Sequence, residues 1–487
     1  MTAGIVTLGA DAPTSADIVA IADGTQVAIG ADAREAIEAS RAVVDAAIAA
    51  GLPVYGLNTR LGAGRDDRVG DDELLDFQRL VIANHRGGIG EALGERQARA
   101  LIAARLVGFT RGGSGVRIDL AQAYADLLNA RIHPVIPARG SVGAADLTHL
   151  AEVAAVVTGG GRAFIDGVVV PGDEALSAAG LSPLVLAPHE GLAVLSSNAY
   201  SVGAGALVLS ALAGRVGLWD AVVALALEAL GAAGPAGNLS AFSAEIADAR
   251  GGAGQRASAA ALRAALEGSA LMASDRAVTV QDPIAFRTVP QIHGALREAV
   301  DRALAEVDLE LAARSDNPLV DAGTGRMISG GNFQAVPLAL ALENVRLALA
   351  HVASATERRI SALSAALTPA RREGRTRVPG LLAYSAAAAL AEVRQLAAPA
   401  TLGVTTLSGV EDHASLAPLA LQLLERSGAL VDELAAIEAL HAVDLLGVTG
   451  VRPTGAGTRE LFGRVDEAVA AGIPASELVP VVVASLG

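Results

Sequence analysis

Residues 334–367 read QAVPLALALENVRLALAHVASATERRISALSAAL. The stretch has no glycine, and its single proline, Pro337, falls in the first turn, where a lost N–H is tolerated. Alanine and leucine, both strong helix formers, fill half of it. At 1.5 Å per residue it predicts a helix of roughly 50 Å. A helix that long and that apolar needs cover on several sides, which predicts a bundle. Similar spacing returns at 202–230, 257–267, 289–313, 380–397 and 415–441. No internal period of about 20 to 50 residues marks a solenoid.

Upstream of Gly191 the texture differs. Gly-rich loops at 54–64 and 87–90 and a Pro/Gly/Ser stretch at 134–143 separate short helical patterns at 33–50 and 95–109. Val168 to Val170, flanked by Gly167 and Pro171, predicts a short strand. The expected fold is mainly all-α. A Gly/Pro-rich N-terminal cap domain covers 1–190, and a long central helical bundle with C-terminal helices covers 191–487.

Composition agrees. Of 487 residues 52% are hydrophobic but only 2% aromatic, so the core is Ala, Leu and Val, whose small side chains let helices approach closely. The formal net charge of −15 argues against nucleic acid or an anionic membrane as partner. There is no cysteine, hence no disulfide framework and no thiolate chemistry. Residues 1–13 show no basic region followed by an apolar run, so no signal peptide is expected. Mean hydropathy is +0.45, yet the longest apolar stretches, such as 202–213, contain Gly and Ser and stop short of a membrane span. These features predict a soluble cytoplasmic protein, buried further by self-association.

Five segments place polar groups among Gly and Pro. Tyr55-Gly56-Leu57-Asn58-Thr59 can present a phenol to a cleft; as a phenolate it would be a strong base, provided its pKa falls from about 10. Taken alone, it reads more readily as a plain loop tyrosine. Asn84-His85 precedes Gly87-Gly88; the histidine can bind a polar ring, move a proton, or simply end a helix. Residues 140–149, GSVGAADLTH, form a turn running into a helix, with exposed N–H groups at its positive end. Gln281-Asp282-Pro283, Arg287 and Pro290-Gln291-Ile292-His293-Gly294 bring an arginine able to grip a carboxylate through two hydrogen bonds. Glu411-Asp412-His413 follows the loop 405–410; an acid there could orient a ring nitrogen or tune a base, or belong to an ordinary charge cluster. The eight histidines form no HxxxH pair, so no metal site is expected. Gly159-Gly160-Gly161 is weak as a nucleotide loop, and Gly-Ser-Val-Gly is not a hydrolase nucleophile elbow.

In this order the segments resemble the histidine and phenylalanine ammonia-lyase superfamily over nearly the whole chain. Residues 55–59 are similar to that family's Tyr-Gly-Val-Asn-Thr, and Asn84-His85 to its Ser-His. Residues 140–147 resemble Gly-Ser-Val-Gly-Ala-Ser-Gly-Asp-Leu with one residue missing. Residues 281–294 resemble Gln-Asp-x-Tyr-Ser-x-Arg…Pro-Gln-x-His-Gly. Ser315-Asp316-Asn317-Pro318 and Ser329-Gly330-Gly331-Asn332-Phe333 resemble Thr-Asp-Asn-Pro and Ser-Gly-Gly-Asn-Phe. Glu411-Asp412-His413 resembles Gln-Glu-Asp-His, and Arg452-Pro453 with Gly455, Gly457 and Thr458 a C-terminal segment. The resemblance implies an ammonia-lyase/fumarase-like fold, a homotetramer with active sites shared between subunits, and elimination of an amine from an aromatic amino acid. It further implies Tyr55 as the base at the β-carbon, Arg287 on the substrate carboxylate, and His85 and Glu411 facing the ring. Asn58, Gln281, Ser196, Tyr384, Asn317 and His149 would complete the substrate site.

The departures are as specific. The family's Ala-Ser-Gly cyclises to a methylidene-imidazolone electrophile; here Ala144 is followed by Ala145 and Asp146, with no hydroxyl to lose as water. The family's second tyrosine corresponds to Ile284, an Asn to Ser196, a Gln to Tyr384 and a Pro to His149. No cofactor is therefore expected. Ammonia is a poor leaving group, and acid–base catalysis alone supplies only about 10²–10⁴-fold. The resemblance is greatest to the electrophile-free, ergothionase-like branch, which eliminates trimethylamine from a betaine. The expected function is a C–N lyase acting on an aromatic or imidazole-bearing amino acid or betaine. The alternatives are an inactive homologue, or an enzyme of the same fold with different acid–base chemistry.

Overall fold

The computed structural model describes residues 4–9, 11–234, 236–272, 279–402 and 410–486. Helices dominate. The strands among the described residues are short and local: a parallel pair, Ile5–Leu8 with Gln26–Ile29, and antiparallel sets joining Ile89–Ala92 to Pro137–Arg139, His133–Pro134 to Arg162–Ile165, and Leu319–Asp321 to Arg326–Ile328. The expected strand is Val168–Pro171, paired back on Arg162–Ile165. Asp166 and Gly167 both take positive φ at that turn, as a two-residue hairpin loop requires.

Residues cluster into two compact units. The first comprises Met1–Ser210, Ala303–Leu342 and Ala400–Leu421; the second comprises Ala211–Arg302, Glu343–Pro399 and Gln422–Gly487. These limits differ from a division at 190/191. Ser210/Ala211, Arg302/Ala303, Leu342/Glu343 and Leu421/Gln422 fall inside the helices Ala199–Ala233, Val289–Ala312, Val336–Arg372 and Ala417–Thr449. The change of texture at Gly191 tracks local propensity, whereas the units are set by packing.

In the first unit the helix Glu95–Thr110 is buried almost throughout, including two arginines. The Arg99 guanidinium donates to Ile21 O and Ala22 O, and to Leu128 O at 2.8 Å. It thus adds a charged donor to carbonyls in the last turns of Ser15–Ala22 and Ile118–Asn129, tying both helix ends to this one. The apolar stretch around 202–213 does not stop short of a membrane span, as the sequence suggested: the helix runs unbroken over Ala199–Ala233, and Gly203 lets it lie against Ala100, whose carbonyl oxygen a Cβ would overlap. This helix and Val336–Arg372 are long and apolar enough to cross a membrane by length and composition alone. In Ala199–Ala233, 67% of the most apolar window is buried within the protein.

The second unit is tied by buried polar groups. Arg359 and Glu438 form a two-pronged ion pair, Nε–Oε1 at 2.7 Å and Nη2–Oε2 at 2.9 Å, both side chains 1% exposed. Asp220 receives His293 Nδ1 and Arg297 Nη2, each at 2.7 Å. Glu228 accepts from Ser269 Oγ, Thr458 Oγ1 and the N–H groups of Thr454 and Gly455. Buried acids of this kind persist only when their lone pairs are used.

Candidate active site

The chain enters the site through the loop after Val54. Leu57 is fully buried against Val43, Val44, Ala47 and Val320, which anchors the loop. Gly56 has φ +69, and a Cβ there would overlap Leu192, so glycine is needed on both counts. Asn58 is not a substrate contact: it is buried, its Nδ2 donates to Leu52 O and its Oδ1 accepts from Val54 N, at 2.8 and 2.9 Å. It clasps the loop that aims Tyr55.

Tyr55 faces a cavity of about 800 Å³, within the range of small-molecule sites. Of the expected residues, His85, Ala144, Ala145, Ser196, Asn317 and Glu411 line it as well. The Tyr55 hydroxyl accepts a hydrogen bond from Gly62 N at 3.1 Å. Burial pushes the phenol above its ordinary pKa; the Gly62 bond opposes this, the Glu411 carboxylate adds to it, and Arg65 opposes it. Arg60 and Arg65 also line the cavity, so a cation able to favour the phenolate stands ten residues beyond the tyrosine. In a Gly-rich loop both arginines look like surface charges; only the folding of the loop back onto the phenol brings them to the site.

His85 ends the helix Leu74–His85. Its Nδ1 lies 2.7 Å from Val81 O, which assigns the neutral ring's proton to Nδ1 and leaves Nε2 as acceptor. Ser196 accepts from Asn317 N at 2.8 Å, and Asn317 Oδ1 accepts from Gly330 N at 3.0 Å. Asp316, next along the chain, is held by Arg105 at 2.6 Å and by Ser114 Oγ at 2.9 Å.

The turn 141–146 is braced from several directions. Val142 O accepts from Leu416 N and Gly143 O from Ser415 Oγ, each at 2.8 Å, while Ala144 bridges to Gln334. Ala145 takes φ +58. Asp146 is fully buried: its N–H donates to Ser197 O at 2.7 Å, and its carboxylate accepts from Ser141 Oγ at 2.8 Å and Ser201 N at 2.9 Å. Burial pushes the Asp146 acid up, against the pull of His149 and these donors. His149 is 1% exposed, donates through Nε2 to Ala138 O at 3.2 Å and stacks on Tyr200 with ring centroids 4.3 Å apart. It is a packing residue rather than a substrate contact or a base, and burial pushes its pKa down.

Gln281, Arg287 and Tyr384 belong to the second unit and are not among the cavity-lining residues. Arg287 Nη1 donates to Gln281 Oε1 at 2.7 Å. Asp282 accepts from Gly237 N and Asn238 N at 3.0 and 2.9 Å. Tyr384 is 75% exposed. Of the loop preceding Glu411, residues 405–409 lie outside the described residues. No cluster of three or more potential metal ligands occurs among the described residues.

Residues 14–467 match the aromatic amino acid lyase family. The chain is 39% identical over 442 residues to a histidine ammonia-lyase of Paracidovorax citrulli (strain AAC00-1), covering 88% of this chain and 85% of that protein. It is 38% identical over 437 residues to that of Sorangium cellulosum (strain So ce56), covering 86% and 84%. Among solved structures, the ergothionase of Treponema denticola in complex with desmethyl-ergothioneine sulfonic acid is similar at TM-score 0.92 and 26% identity, covering 99% of this chain and 98% of that one. A histidine ammonia-lyase from Trypanosoma cruzi has TM-score 0.85 at 26% identity, covering 99% and 93%. The chain belongs to the aromatic amino acid lyase family. Its turn does not fit the methylidene-imidazolone described above: position 145 has no hydroxyl, and the Asp146 N–H and carboxylate are committed to Ser197, Ser141 and Ser201.

Proposed function

We propose that this chain is a carbon–nitrogen lyase that eliminates an amine from an aromatic or imidazole-bearing amino acid or betaine by acid–base chemistry, without a methylidene-imidazolone. The observation that carries the reading is Tyr55: its phenol faces the cavity beside Ala144 and Ala145, between the opposing charges of Arg65 and Glu411. The phenolate takes the β-proton, the C–H electron pair becomes the Cα=Cβ bond, and the C–N bond breaks to release the amine. His85 Nε2 and Glu411 face the ring. Without an electrophile to draw on, the leaving group must be good, since enzymes typically lower barriers by about 8 kcal/mol or more. A quaternary ammonium has no proton to lose, so its nitrogen is always in the cationic form that can leave as a neutral amine, which favours a betaine.

The carboxylate clamp is Arg287 of a second copy of the chain, in a homotetramer with shared sites. Leu381 and Tyr384, 71% and 75% exposed, are apolar surface of the kind that self-association covers. A sedimenting monomer at micromolar concentration would contradict this. The activity test incubates the purified protein with histidine, phenylalanine and their trimethyl betaines, following acrylate absorbance. Acrylate from a betaine and none from the free amino acids supports the reading; none from any substrate favours an inactive homologue.

A further inference from the structure

The sequence contains no lysine, so all 37 of its basic residues are arginines. Arginine is the side chain suited to two-pronged recognition of oxyanions. Two of them, Arg60 and Arg65, line the cavity, on the same loop as Tyr55 and on either side of Gly62, whose N–H holds the phenol. Their surroundings differ. Arg65 lies 3.9 Å from Asp66 and acts on the Tyr55 phenol. Arg60 has neither a side-chain hydrogen bond nor an ion pair among the described residues. Its stem runs along Gly64, where a Cβ would meet Arg60 Cβ at 3.2 Å and Cδ at 3.6 Å. Arg60 is exposed and lines the cavity, with its five N–H donors uncommitted among the described residues.

We propose that Arg60 is an anion-recognition residue and that the substrate carries a second acidic group, an oxyanion such as a sulfonate, sulfinate or carboxylate beyond the amino-acid carboxylate. The inference rests on the cavity being the substrate site and on Arg287 taking the α-carboxylate. Once Arg287 serves that carboxylate and Arg65 the phenol, Arg60 is a surplus cation in a cavity whose own acids are Asp66 and Glu411. Asp66 faces Arg65, and Glu411 lies near the phenol. A cavity of about 800 Å³ has room for a substituent beside an imidazole ring. A sulfonate stays ionised throughout the working pH range, so its pairing with arginine does not depend on proton uptake.

The test is calorimetric and needs no turnover. Binding of N,N-dimethylhistidine is compared with binding of desmethyl-ergothioneine sulfonic acid, which carries the same dimethylated amine and adds the sulfonate on the ring, using the full-length protein, Arg60→Met and Arg60→Lys. A charge-assisted hydrogen bond predicts a preference for the sulfonic acid of about tenfold or more in the wild type. Arg60→Met erases that preference and Arg60→Lys retains part of it. Equal affinities in the wild type overturn the proposal. So does an Arg60→Met variant that weakens both ligands alike, because Arg60 would then serve the common carboxylate or the loop itself. If the wild type binds N,N-dimethylhistidine without preferring the sulfonic acid, only this proposal falls; if it binds neither, the imidazole reading of the cavity falls with it.

Discussion

The Tyr55 hydroxyl and the Gly62 amide, seven positions apart in sequence, are joined at 3.1 Å, with the amide donating. A donor aimed at the phenol oxygen favours the phenolate, yet burial and the Glu411 charge hold the pKa above its ordinary value. The proton can therefore be taken only once that balance tips, and activity is expected to rise with pH. Glu411→Gln removes the charge that disfavours the phenolate, so the rising limb of kcat/KM moves to lower pH. Arg65→Gln removes the opposing charge and moves it to higher pH. Tyr55→Phe should fold normally and lose about 10²–10⁴-fold in kcat. A pH–rate profile of each variant reads all three effects; shifts of the same sign for Glu411→Gln and Arg65→Gln contradict the assignment.

The braced turn predicts an unmodified chain. Intact mass should equal the sequence mass, without the loss of two waters that cyclisation and dehydration of a triplet entail. Ala145→Ser returns a hydroxyl to the turn but not the missing glycine, and the Asp146 N–H remains donated to Ser197 O. This variant, too, is expected to keep its full mass and to show no new near-ultraviolet absorbance.

Much of the site could be read from short motifs because their residues stay neighbours in the fold. Tyr55, His85, Ala144, Ala145, Ser196, Asn317 and Glu411 come from six segments and line one cavity. Asn58 and His149 were misassigned because polarity within a motif does not distinguish a ligand contact from a brace; burial does, and burial belongs to the assembled fold. Arg60 and Arg65 went unread for the converse reason, since an arginine in a loop carries no mark of the cavity it will reach. Gly203 shows the same limit at the level of packing. Locally it weakens a helix; against Ala100 it is what lets two helices meet.

Arg105 and Asp316 predict how much the site depends on its support. Their side chains are 0% and 4% exposed, and Arg105 also donates to Ala193 O and covers the Phe109 ring at 4.3 Å. Removing one partner of such a pair costs about 3–5 kcal/mol, because the other charge stays buried alone. Asp316→Ala should therefore lower Tm clearly in a thermal melt. Asp316→Asn keeps a hydrogen-bond acceptor for Arg105 and should fall between that variant and the wild type. Because Asn317 is the next residue, loss of substrate affinity should follow the loss of stability.

Half-buried Glu310 and fully buried His189 give stability opposite dependences on pH across nearly the same window. Burial, with help from Glu306 and Asp146, pushes Glu310 up to about 7. Its folded pKa lies above the unfolded value, so the native state holds the proton more tightly. Stability from this group is present below the unfolded carboxylate pKa and is lost as pH rises towards 7. His189 is fully buried, donates through Nε2 to Ser114 O at 3.0 Å, and is pushed down to about 4 by burial. Its contribution is present above the unfolded histidine pKa and is lost as pH falls towards 4. Each shift corresponds to about 3 kcal/mol at its extreme, so in the wild type the two largely offset. Single variants separate them. Glu310→Gln, which cannot ionise, should gain Tm relative to wild type between about pH 5 and pH 8. His189→Asn, which tolerates the left-handed backbone at φ +83, should gain relative to wild type in the opposite direction, towards pH 5. Melts of the three proteins across that range test both signs, and parallel curves would show that neither group titrates on unfolding.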